Sequence, residues 1–163
     1  MRVVISVGTH EQPFERLIAA ADSMAEVGWD VFVQYGHSRP PRVAVGAAFM
    51  SRGELDELMR GADRVVTHGG PATVLQALEN GKAPFVCPRS PELGEHVDDH
   101  QQLFARHLDR HGMAVIVEHP EGLVDLLAGP EAARVDLTTR GRRVAENRER
   151  LARDLDAWLA SLR

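Results

Sequence analysis

The sequence holds a single cysteine, Cys87, in 163 residues, which excludes a disulfide within the chain and suits a reducing compartment. It has no apolar run of the roughly 18 residues that a membrane-spanning helix needs. It has no excess of basic residues either. The formal net charge is −5, so there is no electrostatic footprint for nucleic acid. No internal repeat, low-complexity stretch or domain-separating linker interrupts it. A secretory signal is not expected, because "MRVVISVGT" is short and broken by Gly8. What is left is a cytoplasmic single domain over 1–163 of ordinary composition, 44% hydrophobic and 26% charged, long enough to bury a core.

What is present is alternation. "RVVISV" (2–7) is a β-branched apolar run ended by Gly8, as a strand buried on both faces would be. Residues 14–27 carry Phe14, Leu17, Ile18, Ala21 and Met24 at helical spacing, and Gly28 stops that helix. Strands are predicted over 30–35, 43–49, 63–68, 83–87 and 113–118. Between them lie helices opened by the capping box of Ser51 and Glu54, by Pro71, and near residue 98, with a short helix in "EGLVDLLAG". A long amphipathic helix is expected over 139–162, its apolar stripe packing on its own domain or docking a partner helix. Alternating strands and helices imply an α/β, doubly wound parallel sheet of Rossmann-like type. Ligands in such folds sit beyond the carboxyl ends of the strands. That directs attention to loops 8–13, 36–42, 68–72 and 88–100.

"THGGPAT" (67–73) joins a predicted strand to a predicted helix. Gly69 and Gly70 let a ligand approach the backbone, and the helix start offers unpaired N–H groups at a positive dipole end. This suits a phosphate, with Thr73 adding a hydroxyl, and it equally suits a plain strand–turn–helix connection. "VGTH" (7–10) has the same setting with one glycine. Neither loop carries a dinucleotide fingerprint or a P-loop.

"GEHVDDHQQ" (94–102) has three readings. His96 and His100, one turn apart with Asp98 or Asp99 beside them, could ligate a metal in a hydrolase, although the arrangement is not HExxH. Glu95, Asp99, Gln101 and Gln102 could bind vicinal sugar hydroxyls. Asp98 or Asp99 could simply cap a helix in a solvated loop. Composition leaves all three open.

The segment "HGGPATVLQALENGKAPFVCPRSPELGEHVDDHQ" (68–101) resembles the donor-binding part of the family 28 glycosyltransferase C-terminal domain. It follows that family's H-x-G-x-x-[ST], G-K-x-P-x-V-x-P-R and G-E-H-x-D-x-H-Q pattern, and "VISVGTHEQPFERLI" is similar to its first strand and loop. The small stand-alone subunits of the Alg13 and PssE/EpsE type, and the donor-binding domain of MurG, look most alike. The resemblance implies a GT-B glycosyltransferase divided in two, with this chain binding the nucleotide-sugar, a UDP-sugar, without a metal or other cofactor. A membrane-associated protein partner would hold a lipid-linked or glycan acceptor and recruit the chain to the membrane. Gly8, Thr9, Gly69, Gly70, Ala72 and Thr73 would meet the diphosphate. Glu95, His96, Asp99, Gln101 and Gln102 would shape the sugar pocket. The acid that holds the ribose in the family falls at Gln76, which lacks a carboxylate's strength, and Ala105 stands where an asparagine is usual.

Transfer needs a stabilised leaving diphosphate and a deprotonated acceptor hydroxyl. The helix start at 69–73 could supply the first. His10 is the candidate base on this chain. A chain that binds nucleotide-sugar without turnover is the alternative. Cys87 is expected as a core residue, as are Trp29 and Phe14, and Arg89 as an exposed loop arginine or a phosphate contact.

Overall fold

A computed structural model describes residues 1–133 and Ala160, so the helix expected over 139–162 lies outside the described residues apart from Ala160. The strands are β1 (Arg2–Ser6), β2 (Asp30–Gln34), β3 (Val45–Ala47), β4 (Arg64–His68), β5 (Phe85–Cys87) and β6 (Val115–Ile116). The helices are α1 (Glu15–Glu26), α2 (Arg52–Gly61), α3 (Pro71–Glu79), α4 (His100–Arg110), α5 (Leu123–Ala128) and α6 (Pro130–Ala133). The strands form one six-stranded sheet in the order β3-β2-β1-β4-β5-β6, all pairs parallel. This is the doubly wound arrangement expected.

Side-chain alternation explains why both faces are covered. Val3, Ile5 and Val7 point to one face and pack with Leu17 and Ile18 of α1 and Leu123 and Leu127 of α5. Val4 and Val65 point to the other, against Leu55 and Met59 of α2 and Ala77 of α3. Val86 meets Phe104 and Leu108 of α4, with Val74 and Leu78 of α3 in the same cluster. Every β1 side chain from Val3 to Ser6 is buried.

The strands β3, β5 and β6 are shorter than the spans expected over 43–49, 83–87 and 113–118, and two boundaries show the physical reason for the difference. The strand expected from residue 43 starts at Val45, because Asp22 Oδ1 takes the amides of Arg42, Val43 and Ala44 at 2.8, 2.9 and 3.2 Å. The helix expected from 98 starts at His100, whose amide donates to Asp98 Oδ1 at 3.1 Å. Asp99 holds the N-cap position without a side-chain bond. A 3₁₀ turn, Pro91–Leu93, lies in the segment expected as an irregular loop. The capping box at Ser51 and Glu54 is present in both halves.

The chain reverses its direction across the sheet between β1 and β4. Ser6 pairs with Thr67 in register, so the loops after β1 and β4 leave the sheet side by side. That reversal is where doubly wound sheets open a crevice.

Candidate functional site

At this end of the sheet a cavity of about 560 Å³ is lined by Thr9, His10, Glu11 and Gln12 from the loop after β1. His68 at the end of β4 and Val97 and Gln101 of the polar segment complete it. Three of the loops singled out from the sequence therefore meet.

His68 sets the spacing between the glycine loops. A Cβ on Gly8 would stand 2.4 Å from His68 Cε1, and one on Gly70 would stand 2.2 Å from His68 Nε2. The ring thus occupies the room that side chains at 8 and 70 would need. Gly8 also has φ +79°, a region that side chains avoid. His68 Nδ1 lies 3.4 Å from the Ser6 carbonyl. Burial, reinforced by the Arg89 charge, lowers its pKa to about 4, so the ring is neutral at physiological pH. His68 opens the family pattern over 68–101, with no role expected of it from the sequence. Its position between two glycine loops was the available signal.

Gln101 ties the loops together. Its Oε1 accepts from the Gly69 amide at 3.1 Å and from the Arg89 amide at 3.3 Å. A Cβ on Gly69 would come within 2.7 Å of Gln101 Cβ and 2.9 Å of its carbonyl oxygen, so this contact requires glycine. Gln101 was expected in a sugar pocket. It lines the cavity while also holding β4 and β5 to α4.

Glu95 has a different setting from the one expected. Its carboxylate receives Arg16 Nε at 2.8 Å, Arg16 Nη2 at 3.0 Å and the Ser90 amide at 2.9 Å. It is buried, does not line the cavity, and clamps the 88–96 loop to α1. Arg89 corrects the expectation of an exposed side chain. It is 1% exposed, and its guanidinium donates to the carbonyls of Val7, Gln12, Pro13 and Glu95 at 2.9, 2.7, 3.4 and 3.0 Å. Arg89 and Arg16 both lie over the Phe14 ring, their guanidinium carbons 4.8 and 5.0 Å from its centroid.

The imidazoles form a second cluster. His10 and His96 face each other with ring centroids 4.5 Å apart. His10 Nδ1 accepts the Gln12 amide at 3.4 Å, which leaves the neutral ring's proton on Nε2. Burial first, then the His96 and Arg89 charges, lower its pKa. Asp98 bridges two rings, with Oδ1 3.0 Å from His96 Nδ1 and Oδ2 3.1 Å from His100 Nδ1. A carboxylate so placed orients both imidazoles. Among the described residues, no group of three or more His, Cys, Asp or Glu is arranged to hold a metal ion.

The remaining expectations separate. Gly70 is the N-cap of α3 and no side chain caps that helix, so the amides of Ala72 and Thr73 lack an intrahelical partner. Ala72 is exposed and Thr73 half-buried, and neither lines the cavity. Gln76 is directed at α2: its Nε2 donates to the Arg52 carbonyl and to Asp56 Oδ1, both at 3.0 Å. Asp99 is exposed and Gln102 half-buried outside the cavity lining. Cys87 is a core residue whose thiol burial pushes up to about 12.

Among the described residues no helix is long and apolar enough to cross a membrane. The fold is shared with solved glycosyltransferases. The calicheamicin glycosyltransferase CalG4 superimposes with a TM-score of 0.63 at 17% identity, over 99% of this chain and 44% of that one. SsfS6 from Streptomyces sp. SF2575, complexed with thymidine diphosphate, gives 0.59 at 21%, over 89% and 37%. The solution structure of ALG13 gives 0.54 at 16%, over 82% and 86%. The chain thus spans less than half of the first two proteins and most of the third. No protein of curated function matches the sequence. The sheet has the Rossmann-like fold of GT-B C-terminal domains. The family model of the glycosyltransferase family 28 C-terminal domain matches residues 2–155, and the chain belongs to that family.

Proposed function

We propose that this chain is the donor-binding and catalytic half of a two-component hexosyltransferase of polysaccharide biosynthesis. It takes a sugar from a nucleotide-sugar, a UDP-sugar, to a lipid-linked or glycan acceptor. That acceptor is held by a membrane-associated partner protein, which recruits the chain from the cytoplasm. The observation that carries this reading is the uncapped start of α3 at the strand-order reversal, next to a cavity lined by His10, His68 and Gln101. Unpaired amides at Ala72 and Thr73, with the helix dipole behind them, stabilise the leaving diphosphate without a metal. The acceptor proton is assigned to the His10–His96 pair, which Asp98 orients from the His96 side. His10 contributes as base once its ring releases the Gln12 amide, since that bond occupies its lone pair.

Calorimetric titration with UDP, GDP, dTDP and several UDP-sugars, each with and without EDTA, tests the reading. Selective binding of one nucleotide-sugar, unaffected by EDTA, is expected. Binding that chelation abolishes would overturn the metal-free mechanism, and no binding of any nucleotide would overturn the donor site.

One observation favours a second reading, a subunit that binds donor without turnover. Glu95 and Gln76, two of the expected ligands, are engaged inside the protein. Donor binding with no transfer after reconstitution with the acceptor-binding partner would select it.

A further inference from the structure

We propose that Arg89 is a positioning residue for the donor's diphosphate: it fixes the loop after β1 against the loop after β5 and sets a positive charge beneath the cavity. The proposal rests on the donor-site reading above. Arg89 leads the largest fully buried side chains of the described residues. A buried guanidinium ordinarily meets a carboxylate, because desolvating a charge is expensive. Among the described residues Arg89 meets none. Its bonds go to the carbonyls of Val7, Gln12, Pro13 and Glu95, and its Nε has no partner among the described residues. The one carboxylate within this cluster, that of Glu95, is held by Arg16 and the Ser90 amide. Two arginines therefore flank one hydrogen-bonded acid, and the Arg89 charge is left without an ion-pair partner among the described residues.

That charge lies where a ligand would feel it. Gln12, whose carbonyl Arg89 holds, lines the cavity, and so does Gln101, which accepts the Arg89 amide. The titratable groups around it are Arg16 of α1, Glu95, His96 and Asp98 of the polar segment, His10 and Glu11 of the first loop, His68 of β4 and, beyond Arg16, Glu121. Among the described residues, the Glu11 carboxylate on the cavity wall is the one acid that a bound anion would face there. Arg89 disfavours protonation of both His10 and His68, which is the same field that attracts an anion. A staple of this size could be built from apolar side chains without the desolvation cost. A retained charge under an otherwise neutral pair of histidines is explained by an anionic ligand above it. Burial lowers the Arg89 pKa only to about 10, so the charge persists at neutral pH.

The test compares UDP with uridine, and inorganic pyrophosphate as a sugar-free and base-free anion, on the full chain and on Arg89→Met and Arg89→Lys. Removing the charge should weaken UDP and pyrophosphate by about tenfold or more, the scale of one charge felt through a partly buried wall, and leave uridine unchanged. Arg89→Lys, which keeps charge but loses the fork, should show a smaller loss in the same order. It carries the comparison if Arg89→Met fails to fold. Equal weakening of UDP and uridine, or no weakening of UDP, would overturn the proposal. If the wild type binds no nucleoside diphosphate, the donor-site reading fails instead. The charge is then read from NMR titration of His10 and His68, whose pKa values should rise in Arg89→Met; unmoved values would refute its reach into the cavity.

Discussion

Two kinds of loop meet at the cleft, and they are held by different forces. The loops after β1 and β4 are held by fit, with Gly8 and Gly70 closing on His68 and Gly69 on Gln101. The loop after β5 is held by charge, through Glu95 to Arg16 and through the Arg89 fork to four carbonyls. Fit tolerates no added atom, whereas a charge network tolerates a change of shape but not the loss of one member. The side built of glycine is therefore specified by what is missing from it. The polar side is specified by partners far away in the chain.

The contrast can be broken first at Glu95. Glu95→Ala leaves the half-buried Arg16 guanidinium without its carboxylate and removes the acid nearest Arg89, which should cost about 3–5 kcal/mol. The lower figure is expected, because the Arg16 side chain is 24% exposed. Chemical denaturation should show the midpoint falling with the slope unchanged. A loss under about 1 kcal/mol, the scale of surface pairs, would mean that the loop is not held by charge.

His68 tests the fitted side by pH. The unfolded ring titrates near 6.5 and the folded one near 4, so between these values the unfolded chain binds the extra proton. Stability is then complete above 6.5 and declines as pH falls toward 4, by up to about 3 kcal/mol. His68→Asn should flatten that window in denaturation curves taken across pH, and an unchanged slope would show that another group is responsible.

Gly69→Val drives a side chain into the Gln101 backbone, and UDP affinity should fall about 100-fold, roughly 2.7 kcal/mol. Wild-type affinity in calorimetry would show that the loop yields. The smallest change is expected at Gln76→Glu. It sets a carboxylate against Asp56, with a cost of about 1 kcal/mol in stability and no gain in uridine-nucleotide affinity. Tighter binding would return residue 76 to the ribose.

The strands were legible because buried parallel strands are continuous apolar runs ended by glycine or proline, as "RVVISVG" and "APFVCP" are. The Ser51–Glu54 box and the Gly70–Pro71 helix start were legible because their partners lie within a few residues. The polar side was not. Glu95 meets Arg16 across 79 positions of sequence, and Gln76 meets Asp56 across 20. Arg89 follows a proline in a polar segment and reads as solvated, because its acceptors are backbone carbonyls that every sequence possesses. The family resemblance found the segment, yet it could not say that Glu95 turns inward. Only the packing of α1 against the 88–96 loop decides that.

The strand order also has a consequence for how the protein is made. β1 is central, and its partner on one side, β4, follows some 61 residues later, as the Arg2–Asp63 contact marks. A ribosome that has released β1 to β3 has therefore exposed one whole edge of a central strand whose Val3, Val4 and Ile5 are apolar. That edge stays open until β4 emerges. During that interval the chain is a template for pairing with its neighbours, and conditions that slow synthesis between residues 48 and 64 should favour its aggregation over its folding.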